Sequence, residues 1–252
     1  MDTPTALITG ASRGLGRALA VAPHDRGWRL VVDGRDGHRL AAAVAGLRHP
    51  ELVTAVVGDV ADPAHRAALA DAAGPSLRLL VNNASDLGPS PLPRLADLPP
   101  QRLQQILTVN AVAPLALFQA VLPALRNAGG RLLDISSDAA VEPYAGWGGY
   151  GASKAALDQL SAVLAVEHPD LRIYAVDPGD MATDMHQAAC PGEDISDLPD
   201  PETVVPSLLA LVEGDLPSGR YRVVTSLQGS AASLRAAGGG EALSLVPAEA
   251  AR

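Results

Sequence analysis

One tyrosine and one lysine stand four residues apart, in the pattern Tyr150-x-x-x-Lys154. Lys154 is the only lysine among the 19 Lys and Arg residues of the chain. Residues i and i+4 of a helix lie on one face, so the two side chains would project together. An ammonium beside a phenol stabilises the phenolate and lowers a pKa that is normally about 10, which would suit proton transfer near neutral pH. The same spacing also occurs on ordinary surface helices, so the pair needs support from the rest of the chain.

The composition bounds the kind of protein that could carry this pair. Of the 252 residues, 48% are hydrophobic and 19% charged, with 3% aromatic, which is typical of a globular protein with an aliphatic core. A net charge of −9 argues against binding to nucleic acid or to an anionic membrane surface. A single cysteine, Cys190, fits a reducing compartment. With no long apolar run and no signal peptide pattern, we expect a cytoplasmic protein without a membrane span. The scattered histidines predict no metal site.

Short apolar runs alternate with longer helical patterns along the chain. This alternation predicts seven strands and six helices in one α/β domain, a single Rossmann-type doubly wound parallel sheet with helices on both faces, over residues 1–228. Two loops, 86–100 and 180–201, break the pattern after the carboxyl ends of strands. Ligands bind at those ends in such sheets, so both loops should border the site. Residues 229–252 are rich in Ala and Gly, and a flexible C-terminal tail is predicted there.

A glycine-rich turn follows the first predicted strand and opens the first predicted helix. Glycines permit a tight turn and let backbone amides approach a pyrophosphate, while the helix N-terminus adds partial positive charge. At the first strand-to-helix junction of a doubly wound sheet, such a turn favours dinucleotide binding. The residues predicted to bind the cofactor here are Gly10, Ser12, Arg13, Gly14, Leu15 and Gly16.

Two arginines near this turn favour NADP over NAD. NAD-binding proteins place a carboxylate at the end of the second strand, whereas NADP-binding proteins use arginine for the 2′-phosphate. Gly34 occupies the carboxylate position, with Arg35 next to it and Arg13 across the gap. Asp33 stands one residue earlier, and a shift of one residue would put its carboxylate on the ribose, so NAD remains an alternative. Each arginine could also be an ordinary surface charge.

In the order of its motifs the chain resembles the short-chain dehydrogenase/reductase family, in its compact subgroup, over roughly residues 4–227. The motifs that carry the resemblance are the glycine turn, Asn82-Asn83-Ala84, Asn110, Ser137 and Tyr150-x-x-x-Lys154. The glycine spacing matches the reductases and dehydrogenases of that subgroup rather than the sugar-nucleotide epimerases. The resemblance implies NAD(P)-dependent interconversion of a carbonyl and a secondary alcohol on a small molecule.

The resemblance also implies a catalytic tetrad. Tyr150 matches the tyrosine that exchanges a proton with the substrate oxygen, and Lys154 matches the lysine that lowers its pKa and binds the nicotinamide ribose. Ser137 matches the substrate-orienting serine, whose hydroxyl would polarise the carbonyl. Asn110 matches the asparagine that holds a proton-relay water near the lysine.

Further cofactor contacts follow from the same resemblance. Asp59 matches the aspartate that reads the adenine amino group, and Thr183 matches the threonine at the nicotinamide carboxamide. For both residues a turn or cap role is the alternative. The other residues assigned to the cofactor in this way are Val60, Asn82, Ala84, Pro178 and Gly179, besides Tyr150 and Lys154.

Some positions depart from the family pattern. Ser85 replaces the glycine that closes Asn-Asn-Ala-Gly, and Asp138 puts a carboxylate beside Ser137. Pro23 should end or kink the first helix early. None of these changes removes a catalytic group.

The main prediction is therefore an NADP(H)-dependent oxidoreductase, and the alternative from another class is a non-catalytic NAD(P)-binding sensor. A medium-sized, fairly apolar substrate is expected. The candidate pocket residues are Leu87, Pro89, Tyr144, Trp147, Met181, Met185 and His186. Two long helices, 101–126 and 150–167, carry more apolar surface than one sheet face needs, and this excess predicts a homodimer or homotetramer.

Overall fold

The computed structural model describes residues 3–225 and 232–236, and its centre is one β-sheet. The strands are β1 Thr5–Ile8, β2 Arg29–Gly34, β3 Val53–Val57, β4 Leu77–Asn82, β5 Arg131–Ile135, β6 Arg172–Asp177, β7 Gly219–Thr225 and β8 Ala232–Ala236. They lie in the order β3-β2-β1-β4-β5-β6-β7-β8. All neighbours up to β7 are parallel, and β8 runs antiparallel to β7. This order, with its reversal between β1 and β4, confirms the predicted doubly wound sheet.

The strand β8 is the part of the sheet that the sequence analysis missed. The predicted tail over 229–252 is wrong for residues 232–236, while 229–231 and 237–252 lie outside the described residues. Leu234 is fully buried and lies opposite Val223 of β7, so the segment is held by pairing and by one apolar anchor. A single leucine in a run of small residues gives no periodic pattern that sequence inspection could detect.

Helices cover both faces of the sheet. They are α1 Gly14–Asp25, α2 Gly37–Ala45, α3 Pro63–Ala73, α4 Pro100–Leu107, α5 Ala113–Ala128, α6 Gly148–Glu167, α7 Asp184–Ala189 and α8 Val205–Glu213. Helix α7 lies inside the predicted loop 180–201 and was not expected. Pro23 does not end α1 early, because it lies in the last turn of the helix and removes few backbone bonds.

The single long helix predicted over 101–126 is interrupted. A π-helical segment, Thr108–Val112, joins α4 to α5. Such segments occur often at functional sites, since they change the direction of the backbone groups within one turn. Asn110 lies at the centre of this segment.

The core consists of two apolar layers, one on each face of the sheet. Ala6 and Ile8 of β1 belong to the layer under α1 and α8, whereas Leu7 belongs to the layer under α3 and α5. Successive side chains of a strand point to opposite faces, which divides each buried strand between the two layers. The sheet thereby fixes the carboxyl ends of the strands along one edge.

By length and composition, the combined helix Pro100–Ala128 could cross a membrane, against the expectation that no segment could. Its apolar side chains are those of a core helix. Leu117, Phe118, Val121 and Leu125 are buried and pack with residues of the neighbouring strands. Their apolar character is therefore explained by packing on the sheet.

Candidate active site

A cleft of about 570 Å³ runs along the carboxyl ends of the strands. It is bordered by both predicted loops, 86–100 and 180–201. The predicted site residues that line it are Gly10, Ser12, Arg13, Gly14, Leu15, Arg35, Asp59, Val60, Ala84, Ser137, Tyr150, Lys154, Pro178, Gly179 and Thr183. Gly16, Asn82 and Asn110 do not line it. The tertiary structure thus brings together residues from nearly the whole chain.

The glycine turn at one end of the cleft is built by close backbone contacts. Gly10 has a φ of +68°, and a Cβ there would meet the Cα of Ala84 at 2.9 Å. A Cβ on Gly16 would lie 2.4 Å from the carbonyl oxygen of Gly10. Gly16 therefore lets the helix pack against the turn, which is a structural role. Neither residue tolerates a larger side chain.

The N-terminus of α1 fits a bound pyrophosphate. Arg13 is the N-cap residue, its side chain makes no capping hydrogen bond, and the first turn has no acidic residue. The first N–H groups of a helix have no partner within the helix, and they attract anions. They are available here at the surface of the cleft.

Asp33 does not take the ribose position that its place in the sequence left open. It is 1% exposed. Its carboxylate accepts a hydrogen bond from the Gly10 amide at 2.6 Å, and the Nε2 atom of His65 lies 3.0 Å away. Burial, as the largest cause, raises the pKa of Asp33, while the bonds from Gly10 and His65 lower it. Asp33 lines the cleft, but both of its carboxylate oxygens are engaged by protein groups, and it thus supports the turn.

Gly34, the last residue of β2, carries no carboxylate and is packed tightly against Ser12. A Cβ there would meet the Cβ of Ser12 at 3.0 Å and its hydroxyl at 3.1 Å. Arg13, Arg35 and Arg39 line this end of the cleft. Arg39 was not predicted, although its position four residues after Arg35 could have suggested a side chain near the same site.

Of the two neighbouring asparagines, Asn83 lines the cleft and Asn82 does not. The Asn82 side chain points into the protein and donates to Asp134 at 2.7 Å. The Asn83 side chain donates to the carbonyls of Thr9 at 2.9 Å and Gly10 at 3.2 Å, and Asn83 lines the cleft. The prediction of Asn82 as a cofactor contact is thus not supported by its position, because its side chain is directed at the buried Asp134.

Asp59 and Thr183 combine their predicted positions with the structural alternatives. The Asp59 carboxylate accepts from the Ala61 amide at 2.9 Å, which fixes a turn, and the residue lines the cleft. The Thr183 hydroxyl accepts from the His186 amide at 3.2 Å and caps α7. Both residues therefore have a local structural role at a site where a cofactor contact is also possible.

Tyr150 and Lys154 lie side by side on α6, as their spacing predicted. The Nζ atom of Lys154 is 5.6 Å from the centroid of the Tyr150 ring. Tyr150 is 8% exposed and Lys154 is 2% exposed. The ammonium donates to the Ile135 carbonyl at 2.7 Å, which ties α6 to the end of β5. The base of the cleft therefore contains a fixed and almost dehydrated pair.

The pKa values at this pair differ from the expectation. Burial raises the pKa of Tyr150 to about 12; hydrogen bonding by Ser85 and Ser137 lowers it and the carboxylates of Asp177 and Asp138 raise it. Burial also lowers the pKa of Lys154 to about 8. The prediction that Lys154 lowers the pKa of Tyr150 is not supported here, because burial is the largest influence on that pKa and raises it, and Lys154 is not among the main causes of the shift. Tyr150 carries its proton at neutral pH.

Ser137 is held by a carboxylate that sequence analysis noted only as a departure. The Ser137 hydroxyl donates to Asp138 at 3.1 Å and accepts from the Ala139 amide at 3.1 Å. The Tyr144 hydroxyl donates to the other oxygen of Asp138 at 3.0 Å. Asp138 thus holds two hydroxyl groups at the entrance of the cleft.

Asn110 is buried, and its side chain is occupied by protein groups. It donates to the Asp86 carbonyl and to the Ser153 hydroxyl, both at 2.9 Å. It accepts from the Asp86 amide at 2.7 Å and from the Ser85 hydroxyl at 3.2 Å. These bonds tie α6 and the loop after β4 to the π-helical segment.

Arg220 of β7 is a site residue that the sequence analysis missed. Its Nε atom donates to Asp158 at 2.7 Å, and its Nη2 atom donates to the Ser137 carbonyl at 2.9 Å. The arginine links a carboxylate of α6 to the backbone of the serine. No local motif marks it, since its partners are more than sixty residues away.

The other half of the cleft has apolar walls. The predicted pocket residues that line it are Leu87, Tyr144, Trp147, Met181, Met185 and His186. Pro89 does not line it. The rings of Trp147 and Tyr150 meet edge to face, with centroids 5.7 Å apart, so the aromatic wall continues to the phenol.

Known proteins are similar to this chain in sequence and in fold. The model of the family described as short chain dehydrogenase matches residues 4–194. The chain belongs to the short-chain dehydrogenase/reductase family. A short-chain type dehydrogenase/reductase from Picea abies is 36% identical over 195 residues, which cover 71% of each chain. Sepiapterin reductase from Xenopus laevis is 33% identical over 207 residues, 73% of this chain and 76% of the relative.

A solved structure supports the same assignment. A short-chain dehydrogenase from Shigella flexneri, complexed with NADP, superposes with a TM-score of 0.80 at 29% identity, covering 88% of this chain and 97% of that one. The predicted family is thereby confirmed. The protein is an oxidoreductase with a nucleotide-binding Rossmann fold, and it acts on CH–OH or carbonyl groups.

Proposed function

We propose that this protein is an NADP(H)-dependent oxidoreductase that interconverts a small-molecule carbonyl and a secondary alcohol, with Tyr150 as its proton donor and acceptor. The observation that carries the proposal is the buried pair of Tyr150 and Lys154 at the base of a cleft whose other end is the glycine turn. Chemistry and nucleotide binding then share one continuous space.

In the reducing direction Tyr150 acts as an acid. Its pKa, raised to about 12 by burial, keeps the phenol protonated, so it can donate its proton to the carbonyl oxygen as negative charge develops there. The bound nicotinamide supplies the hydride. Lys154 then stabilises the phenolate that remains, and its fixed position on the Ile135 carbonyl keeps the ammonium close. In oxidation the same proton moves in the opposite direction.

Ser137 orients the substrate in this proposal. Its hydroxyl lies in the cleft beside the phenol, where it can donate to the substrate oxygen once it turns away from Asp138. Arg220 holds the backbone of Ser137, and Asn110 holds the loop after β4 against α6. These residues position the groups that would contact the substrate.

NADP is the proposed cofactor because of the charges at the adenosine end. Arg13 and Arg35 line the cleft, Gly34 carries no carboxylate, and the Asp33 carboxylate is occupied by Gly10 and His65. Guanidinium groups bind phosphate by paired, charge-assisted hydrogen bonds. The solved relative from Shigella flexneri, complexed with NADP, supports this choice.

The decisive experiment is Tyr150→Phe. Because general acid–base catalysis contributes about 10²–10⁴-fold, kcat/KM for a carbonyl substrate from a ketone and aldehyde panel should fall by that factor. Affinity for NADPH, measured by fluorescence titration, should stay within about threefold, since the phenol oxygen is a small part of the cofactor contact. Tyr144→Phe serves as the control, because it removes a hydroxyl from the cleft entrance but leaves the buried phenol in place. Full turnover by Tyr150→Phe would refute the proposal.

Self-association is also proposed. Val112, Val163 and Val166 are exposed on the π-helical segment and α6, with Val166 82% exposed. Exposed apolar side chains on these two elements suit a homodimer or homotetramer. Light scattering should give a mass at least twice that of the chain, and a monomer would contradict it. The cytoplasmic location stays a prediction.

A further inference from the structure

A carboxylate of the loop after β6 lies against the adenosine end of the cleft. Asp184 is the first residue of α7, within the loop after β6. Its Oδ2 atom lies 2.6 Å from Nη1 of Arg13 and 3.7 Å from Nη1 of Arg39. Its neighbour Thr183 also closes on the turn, since the Thr183 methyl group lies 3.6 Å from where a Cβ on Gly14 would be. The substrate loop is thus attached to the glycine turn through Arg13.

Asp36, another carboxylate at this end, has a structural role of its own. Asp36 caps α2, where its Oδ1 atom accepts from the amides of His38 at 3.0 Å and Arg39 at 3.1 Å. Asp184 makes no capping bond, and its side chain is 65% exposed. Asp184 is therefore the negative charge that can leave the arginines without unravelling a helix.

A carboxylate and a phosphate use the same donors of a guanidinium. The carboxylate is planar and the phosphate is tetrahedral, and both accept paired hydrogen bonds from the N–H groups of arginine. Asp184 holds Arg13 in the way that a phosphate oxygen would. An anion arriving at Arg13 must therefore displace Asp184 or share the guanidinium with it.

We propose that Asp184 is a specificity-determining residue that competes with the 2′-phosphate of the cofactor for Arg13. This inference rests on the proposed function, in which Arg13 receives that phosphate. The carboxylate lowers the affinity for the phosphate-bearing nucleotide and leaves the affinity for the phosphate-free one unchanged. Because α7 also carries Met185 and His186 of the substrate half, displacement of Asp184 links cofactor choice to the substrate loop.

The test measures binding of two nucleotide fragments, and it needs no substrate. Adenosine 2′,5′-bisphosphate and 5′-AMP differ only in the 2′-phosphate. Isothermal titration of wild type should show tighter binding of the bisphosphate. Asp184→Asn, which keeps the size and removes the charge, should tighten the bisphosphate by about threefold to fivefold, the effect of one exposed ion pair, and leave 5′-AMP unchanged. The gain should shrink as salt is raised from about 50 mM to about 500 mM.

Two further variants distinguish the direct contact between Asp184 and Arg13 from the effect of the overall charge of the loop. In the background of Arg13→Gln, the change Asp184→Asn should affect bisphosphate binding less than it does in wild type, because the partner at 2.6 Å is gone and only the longer contact with Arg39, at 3.7 Å, is left. Glu193→Gln removes the same charge from the same loop at an exposed residue outside the cleft, and it should alter neither fragment.

Several outcomes would overturn the inference. One is that wild type binds the bisphosphate more tightly than 5′-AMP, but Asp184→Asn leaves the affinity for the bisphosphate unchanged. If Asp184→Asn tightened the binding of both fragments equally, or if Glu193→Gln had an equal effect, the cause would be the overall charge of the protein and not competition at Arg13. If wild type bound both fragments equally, this inference and the assignment of NADP would both be wrong. The role of Tyr150 would not be affected, because Tyr150→Phe tests it separately.

Discussion

The two ends of the cleft hold their charges in opposite ways. At the reaction end Lys154 is 2% exposed, and the pKa values of both Lys154 and Tyr150 are moved by burial. At the adenosine end the side chains of Arg13, Arg39 and Asp184 are 52–65% exposed and pair with one another in water. A buried charged group cannot be substituted without loss, and its burial sets its pKa. An exposed charge forms weak ion pairs, and its partner can be exchanged for another. Proton transfer needs a buried group, and selection between related nucleotides can rely on exposed charges.

Replacing lysine by arginine at the reaction end, and arginine by lysine at the adenosine end, should give the largest difference in activity between the two ends. Lys154→Arg places a wide planar group in a filled space where Nζ is fixed 2.7 Å from the Ile135 carbonyl. We expect kcat/KM to fall about 100-fold or more and the free energy of unfolding to fall by about 2 kcal/mol. Steady-state kinetics and urea unfolding would measure the two effects.

The matched exchange is Arg35→Lys at the exposed end. It keeps the charge in solvent, so NADPH affinity should fall by no more than about fivefold, with kcat unchanged. Comparable losses of activity in the two variants would show that exposure does not separate the two ends of the cleft.

Arg220 tests whether the reaction end depends on positions far from the reacting groups. Its side chain is 18% exposed and pairs with Asp158, which is 14% exposed. Arg220→Met leaves that carboxylate without its partner and releases the Ser137 backbone. We expect a loss of about 2 kcal/mol in the free energy of unfolding and about tenfold in kcat/KM.

The double variant Arg220→Met/Asp158→Asn distinguishes the two effects of Arg220. Removing the stranded carboxylate should restore part of the stability, since no unpaired charge is left. Activity should stay low, because Ser137 still lacks its contact. Recovery of both properties together would argue against a positioning role of Arg220.

Asp138 should give the smallest effect, seen in the pH dependence. Its carboxylate is among the groups that raise the pKa of Tyr150, so Asp138→Asn should lower that pKa. Reduction needs the protonated phenol, and its activity should then be lost at a lower pH. Oxidation needs the phenolate and should gain activity at a lower pH. The alkaline limb of the kcat/KM profile should move by less than about one pH unit.

Glu142→Gln is the control for this shift. It removes a carboxylate from the same exposed turn, but Glu142 is not among the groups that shift the pKa of Tyr150. The profile of Glu142→Gln should match that of wild type. An equal shift in both variants would assign the effect to net charge.

Local sequence signals predicted elements well where the physical cause is local. The sequence predicts a helix over 63–73, and α3 spans Pro63–Ala73, because Asp62 caps it and Pro63 suits its first turn. The strands up to β7 were found from apolar runs. Helix α7 was not, since its six residues lie in a polar loop with several prolines and glycines around it.

Site residues could be predicted when a motif named them, but their surroundings could not. The sequence placed Tyr150 beside Lys154, and spacing on a helix is sufficient for that. It could not show that the Asn82 side chain turns inward or that Arg220 reaches Ser137, because both depend on contacts between distant segments. The exposed ion pair of Arg13 and Asp184 joins residues 171 positions apart.

By itself the sequence determined the alternation of strands and helices, the glycine turn and the tyrosine–lysine pair, because periodicity, turn chemistry and helix spacing act over a few residues. Only the tertiary structure decided how deeply that pair is buried, and hence that the phenol keeps its proton. Desolvation depends on every segment packed around a group, and those segments come together only when the chain has folded.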